Sequence, residues 1–236
     1  MSSAVSSVSS SREVIIARLR AQVDALEHRV PSPVRPVPPV LVPLLPDGGL
    51  KPGAVYCLAS PAVLLALLAA PSHEGLWCGL VGLPEVGAEA AAAAGVRLDR
   101  LALVPRPGPR WLSVVAALCT ALPVVAVCPP APVRPGEADR LAARLRDEGT
   151  TLLVVGTWPM AEASITVTSP IWWGLGDGWG HLTGREVDLQ VTSKRHPWGR
   201  SVRAWLPGAD GTLAVAGSDV PEGARAREET AARMVA

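Results

Sequence analysis

The residue types that carry out catalysis or bind metals are poorly spaced for either task in this sequence of 236 residues. Ser60 lies between a predicted strand and a predicted helix, as a nucleophilic serine often does, but the Gly-x-Ser-x-Gly frame that presents such a serine is missing. Glu85 and Glu89 share one helix face, and no second acidic pair accompanies them. We therefore predict no catalytic residue and no metal site, and we expect a protein that is not an enzyme and needs no cofactor.

The cysteines are best explained as parts of a hydrophobic core. All of them lie within apolar runs, and none belongs to a Cys-x-x-Cys pair: Cys57, Cys78, Cys119 and Cys128. Cysteine in such a setting usually behaves as a small buried hydrophobic residue. We expect neither a disulfide framework nor a zinc site.

Two other groups of residues are candidates for contacts with macromolecules. Trp172, Trp173 and Trp179 stand among glycines, where they could pack on a protein partner, stack on single-stranded DNA, or anchor a loop to the fold. The second group lies in a hairpin over residues 185–203 with a local excess of positive charge, and its candidate DNA contacts are Arg185, Lys194, Arg195, Trp198 and Arg200. A solvated strand face is the alternative for this second group.

Composition limits the classes of partner. Lys and Arg number 22 against 21 Asp and Glu, so the net charge is +1, which excludes a protein that is basic overall but allows a local basic patch. The Ser-rich start has no apolar core of a signal peptide, and we expect a cytoplasmic protein. Prolines interrupt the two uncharged stretches 53–72 and 111–133, so we expect no membrane span.

The N-terminal residues are predicted to lie outside the main domain. Residues 1–10 are Ser-rich and are expected to be disordered. An amphipathic helix is predicted over residues 11–30, and its apolar stripe, which either packs on its own domain or binds a partner, contains Ile15, Leu19, Val23 and Leu26. Residues 31–46 are predicted to be a Pro-rich linker.

The remaining elements predict an α/β domain over residues 47–208. Short apolar strands (54–59, 77–83, 101–104, 124–127, 151–155) alternate with helices (62–70, 86–94, 111–121, 137–148). This order is typical of a mainly parallel sheet flanked by helices. Residues 164–168, 187–193 and 201–206 alternate apolar and polar positions, which predicts C-terminal antiparallel strands with a Gly/Trp-rich loop over 172–180. Residues 209–236 are expected to form a polar tail.

The span 45–207 resembles the RecA-like recombinase core. Gly48-Gly49-Leu50-x-x-Gly53 precedes the first strand as it does in that core, and Thr192-Ser193-Lys194-Arg195 is similar to part of its final basic hairpin. Residues 151–160 resemble the strand that carries the nucleotide sensor.

The catalytic parts of that core are missing. A phosphate-binding loop needs Gly-x4-Gly-Lys-[Ser/Thr], whereas this chain has Ala59-Ser60-Pro61-Ala62-Val63-Leu64. Leu83 replaces the catalytic glutamate, Val127-Cys128 stand where a magnesium-binding aspartate is expected, and Gly156-Thr157 replace the Asn-Gln sensor. The resemblance therefore implies a degenerate nucleotide site without ATP hydrolysis. A dinucleotide-binding domain is the alternative α/β class, and the absence of Gly-x-Gly-x-x-Gly after the first strand disfavours it.

A RecA-like domain with such a site is similar to the ImuA family of mutasome accessory proteins, especially its actinobacterial ImuA-prime branch. The resemblance is carried by residues 80–105, by Trp111 after Pro-Gly-x-x, by Gly156-x-Trp158-Pro159 and by Arg203-x-Trp205-Leu206-Pro207. It implies a role in the SOS response, in damage-induced mutagenesis and translesion synthesis. It also implies a direct partner, an inactive Y-family polymerase homologue of the ImuB type. Through that partner, it implies indirect association with an error-prone replicative polymerase and a recombinase. The alternative is a degenerate recombinase paralogue that binds single-stranded DNA weakly or modulates a RecA filament.

Overall fold

The structure is a computed structural model that describes residues 33–176, 179–208 and 211–217. Residues 175, 176, 179–181 and 183 are described by their backbone alone. The predictions of a disordered tail over 1–10 and of a partner-binding helix over 11–30, with Ile15, Leu19, Val23 and Leu26, lie outside the described residues.

A nine-stranded sheet forms the centre of the described chain, in the order β3-β2-β4-β5-β1-β6-β7-β8-β9. Its strands are β1 (Val55–Leu58), β2 (Cys78–Val81), β3 (Leu101–Val104), β4 (Val124–Val127), β5 (Thr151–Val155), β6 (Ala163–Gly176), β7 (Trp179–Ser193), β8 (Arg200–Trp205) and β9 (Ala214–Val215). Neighbours from β3 to β6 are parallel, and those from β6 to β9 are antiparallel. The predicted α/β class, a mainly parallel sheet flanked by helices with C-terminal antiparallel strands, is therefore confirmed.

Helices cover both faces of the parallel half, because its inner strands are apolar on both sides. The helices are α1 (Pro61–His73), α2 (Ala88–Ala93), α3 (Trp111–Leu118) and α4 (Pro135–Glu148). Side chains of α1 and α2 share one buried cluster with Tyr56 and Leu58, on what we call the first face. Side chains of α3 and α4 share another with Val125 and Val154, on the second face. Among the described residues, no helix has the length and apolar character needed to cross a membrane.

Residues 33–46, the described part of the predicted Pro-rich linker, belong to the core of the domain. Arg35 and Leu50 form an antiparallel bridge, with N–O distances of 2.7 and 3.0 Å. The buried side chains of this segment join the first-face cluster: Val37, Val40, Leu41, Leu44 and Leu45. The linker prediction for this part was wrong because prolines restrict the backbone without preventing the apolar residues between them from being buried.

Two other boundaries also differ from the predictions. The Gly/Trp-rich stretch is not a loop, since β6 and β7 remain paired as far as Gly176 and Trp179. The described part of the predicted tail adds β9 to the sheet and buries Leu213. Residues 211–217 are therefore part of the domain.

Candidate functional site

A cavity of about 510 Å³ lies at the carboxyl ends of β1 and β5, beside the first residues of β6. Ligands of open α/β sheets bind at this edge, and the resemblance described above places the degenerate nucleotide site here. The residues that line it are all uncharged: Cys57, Leu58, Ala59, Val155, Gly156, Thr157, Trp158, Ser164, Ile165 and Thr166. The cavity is large enough for a small molecule but offers no lining charge to neutralise a phosphate.

The connection between β1 and α1 does not form a phosphate cradle. It consists of Ala59 and Ser60, and the backbone donors of Ala59 and Ala62 are already engaged. Ala59 N–H donates to Ile165 O at 3.0 Å, and the Ser60 hydroxyl caps the helix by accepting from Ala62 N–H at 3.2 Å. Pro61, the first helical residue, has no N–H. A phosphate at this helix end would therefore meet fewer free backbone donors than such sites use.

The cavity thiol is poorly suited to nucleophilic chemistry. Burial raises the pKa of the Cys57 thiol above its ordinary value, outweighing the hydrogen bonds to Trp158 O and Ser164 that lower it. The neutral thiol therefore predominates at pH 7, and it is a weak nucleophile.

The other cysteines are structural. Burial raises the pKa of Cys78 and of Cys119 to about 12. The prediction of buried free cysteines is confirmed for Cys57, Cys78 and Cys119, whereas Cys128 is only partly buried. In the described ranges, no cluster of His, Cys, Asp and Glu could hold a metal ion.

The tryptophan residues predicted to bind a partner have different environments. Trp173 packs edge-to-face on buried Trp205, with ring centroids 5.9 Å apart, which fits the alternative of a structural anchor. Trp172 is 50% exposed, and the Arg185 guanidinium lies 5.1 Å from its ring centroid. The side chain of Trp179 lies outside the described atoms.

Trp172 lies on a two-stranded ribbon, which we define as residues 171–176 and 179–184. β1 pairs only with Ala163–Ile165 of β6, and β8 pairs only with Glu186–Val191 of β7. The described ribbon therefore has no third strand on either side. It exposes about half of each of three large apolar side chains: Ile171, Trp172 and Leu182.

Most of the predicted DNA-binding cations bond to the protein itself. Arg195 forms an ion pair with Asp47 at 2.7 Å, Arg200 donates to Pro43 O at 2.8 Å, and Arg185 donates to Leu206 O at 2.9 Å. Lys194 is exposed and has no ion pair in the described chain. Trp198 is 94% exposed in the turn between β7 and β8. The structure thus brings Trp198 and Lys194 to one tip, while the arginines attach this hairpin to the segment before β1 and to Leu206.

Residues 43–160, half of the chain, match the family model described as the MT3502 N-terminal domain, and the chain belongs to that family. This span contains β1 to β5 and the four described α-helices, α1 to α4. Over 120 residues, the chain is 35% identical to a protein of Mycobacterium tuberculosis named "Uncharacterized protein Rv3395c". The matched part is 49% of this chain and 59% of that relative, so the chain spans less than two thirds of the relative's length.

Proposed function

We propose that this protein is a non-catalytic RecA-like accessory module of error-prone translesion synthesis, which acts in the cytoplasm and binds an inactive Y-family polymerase homologue. The observation that best supports a binding role is the ribbon that exposes Ile171, Trp172 and Leu182 beyond the rest of the sheet. Aromatic and aliphatic side chains on a backbone already held by pairing are typical anchors of protein interfaces. The polymerase homologue as partner comes from the resemblance to the ImuA family.

The edge of the sheet where a nucleotide would bind supports the non-catalytic part of the proposal. Its cavity has uncharged lining residues, and the donors of Ala59 and Ala62 are engaged within the protein. Phosphoryl transfer depends on the positioning and electrostatic stabilisation of phosphates. We therefore expect this chain to act by binding.

The test is an affinity purification of the tagged full chain from DNA-damaged source cells, with nuclease treatment and mass spectrometry. We expect nuclease-resistant recovery of a Y-family polymerase homologue. The homologue is then purified and titrated with the wild type and with the ribbon variant Trp172→Ala/Leu182→Ala, which we expect to bind at least about tenfold more weakly.

Trp198→Ala is the matched control because it removes an exposed tryptophan that lies outside the ribbon. Circular dichroism of both variants should match the wild type. Recovery of no polymerase homologue with the wild type would exclude the proposed partner, and equal affinity of the ribbon variant would exclude the ribbon as its binding surface.

A recombinase paralogue that binds single-stranded DNA is the second candidate function. It is favoured by Trp198, which is exposed beside Lys194 and could stack on a base. This function predicts that Lys194→Glu/Arg195→Glu lowers the affinity for an oligothymidine and reduces its salt dependence. Unchanged affinity in fluorescence anisotropy would exclude this hairpin as the DNA contact.

A further inference from the structure

The two edges of the sheet are protected to different degrees. The β9 edge is formed by two residues, Ala214 and Val215. The β3 edge is four residues long, as long as its neighbour β2, and Leu101–Val104 contains no charge, proline or bulge. Proteins usually protect open edges by such devices, because unpaired backbone groups are templates for another strand.

The pairing of β3 with β2 shows which backbone N–H and C=O groups of β3 have no described partner strand. Gly82 N–H donates to Val104 O at 3.0 Å, so Val104 directs its carbonyl toward β2. Because alternate residues of a strand direct their backbone groups to opposite sides, Leu103 directs its N–H and C=O outward. No described strand pairs with this side of β3.

Apolar side chains surround this edge. Leu103 is 46% exposed. Leu98, shortly before β3, and Trp77, directly before β2, are exposed to a similar degree. This end of the domain therefore has the character of a contact surface.

The charges at the ends of β3 distinguish between possible occupants. Residues 97–110 contain four arginines and one acidic residue, Asp99: Arg97, Arg100, Arg106 and Arg110. Asp99 is paired with Arg97 at 2.7 Å and lies 3.7 Å from Arg100, whereas Arg106 and Arg110 have no ion pair in the described chain. In an antiparallel pair of two β3 strands, Arg100 of one copy would approach Arg106 of the other. Like charges across strands are destabilising. The edge is therefore better matched to an acidic segment than to a second copy.

We propose that the β3 edge binds, by strand addition, an extended segment of the partner protein that has apolar residues at its centre and acidic residues at both ends. This inference rests on the proposed function, since the partner is the polymerase homologue. Main-chain hydrogen bonds to Leu103 would supply affinity, and the flanking arginines would select acidic segments.

The test uses the purified full chain with the purified homologue. Leu103→Pro removes the outward N–H and leaves the bonds to β2 in place, since proline is tolerated on the solvent side of an edge strand. Leu103→Ala is the matched control, because it removes the side chain and keeps the N–H. We expect at least about tenfold weaker binding for Leu103→Pro than for Leu103→Ala, and slower hydrogen exchange of the Leu103 amide in the wild-type complex.

A second variant, Arg106→Glu/Arg110→Glu, tests the charge argument without changing the strand. This variant should bind the homologue more weakly. Among overlapping synthetic peptides of the homologue, the peptide that binds the wild type but not this variant should have an apolar centre and acidic ends. If the wild type does not bind the homologue, the proposed function fails, and this inference fails with it.

If the wild type binds but Leu103→Pro binds equally and the Leu103 amide exchanges at an unchanged rate, only the edge inference fails. Sedimentation could instead detect a wild-type dimer that Leu103→Pro abolishes. That result would assign the edge to a second copy and overturn the proposal that it binds an acidic segment.

Discussion

A few buried polar side chains connect distant parts of the chain. Thr150 donates to Cys119 O at 2.6 Å and also contacts Leu122 O, which joins the start of β5 to the end of α3. Thr151 donates to Lys51 O and accepts from Arg35, both at 3.1 Å. Arg35 also donates to Gly149 O. These bonds hold the segment before β1 against the end of α4, and each bond lost leaves a buried or partly buried acceptor without a donor.

Replacing Thr150 by valine should therefore destabilise the protein. Thr150→Val keeps the shape of the side chain but leaves the buried Cys119 carbonyl without its donor, at a cost of about 1–3 kcal/mol in the free energy of unfolding. Urea denaturation measures this change. Thr150→Ser, which keeps the hydroxyl, should lose less, and a valine variant as stable as the wild type would contradict the role of these bonds.

Tyr56 should make the stability fall in alkali. Burial raises the pKa of Tyr56 to about 12, although the hydrogen bond from Lys51 N–H partly opposes this. The unfolded phenol ionises near pH 10, so between pH 10 and 12 the folded state holds more protons, and the free energy of unfolding falls as the pH rises.

The Tyr56 contribution amounts to about 3 kcal/mol over that range, since each unit of pKa corresponds to about 1.4 kcal/mol. Urea denaturation at several pH values measures the slope. Tyr56→Phe should show a smaller slope between pH 10 and 12, with Cys78 and Cys119 supplying the remainder from pH 9 upward. Equal slopes for the two proteins would be inconsistent with a protonated buried phenol.

At the scale of elements, the segment before β1 acts as a layer of the core. Leu41 is fully buried in a short 3-10 turn (Pro39–Leu41), and Leu45 follows it into the same first-face cluster. That cluster also contains Ile165 and Val191 of the antiparallel strands. The apolar side of β6 and β7 thus shares one buried cluster with the Pro-rich segment.

Leu41→Ala should consequently cost about 2–5 kcal/mol in the free energy of unfolding, as large-to-small changes in a core do. Val42→Ala is the matched control, because Val42 is 43% exposed and its truncation should change stability by less than about 0.5 kcal/mol. Thermal and urea unfolding of both variants compare the two sites. Similar small losses at both positions would restore the interpretation of this segment as a linker.

For the whole molecule, the parallel and antiparallel halves of the sheet have different surroundings. The parallel half has helices on both faces and lies within the span matched by the family. The antiparallel half lies beyond residue 160 and carries the ribbon and the exposed Trp198. The features that we assign to partners therefore lie in both halves of the sheet, on the ribbon and at the β3 edge.

The uncharged cavity leads to a prediction for nucleotides. Millimolar ATP with magnesium should raise the melting temperature by less than about 1 °C, because a ligand stabilises only the state that it binds. Sodium sulfate at equal ionic strength is the control for general salt effects, and a phosphate-release assay measures hydrolysis. A saturable rise in melting temperature specific to ATP would overturn the prediction of a degenerate site.

The local pattern of residues determined the α/β class and most of its elements. Strands 101–104, 124–127 and 151–155 have the predicted bounds, because short continuous apolar runs between turn residues are typical of strands in a mainly parallel sheet. The lack of glycines and lysine after the first strand likewise predicted the closed connection at Ser60. These features depend on neighbours in the sequence, and so they can be inferred from it.

Only the tertiary structure decided which side chains meet across the chain. Arg195 and Arg200 were predicted to contact DNA, yet they bond to Asp47 and to Pro43 O, about 150 positions away in the sequence. The burial of Leu41 and the open edge at Leu103 have the same origin. Each depends on the strand order, which brings distant segments together and leaves others uncovered, and residue periodicity carries no information about that order.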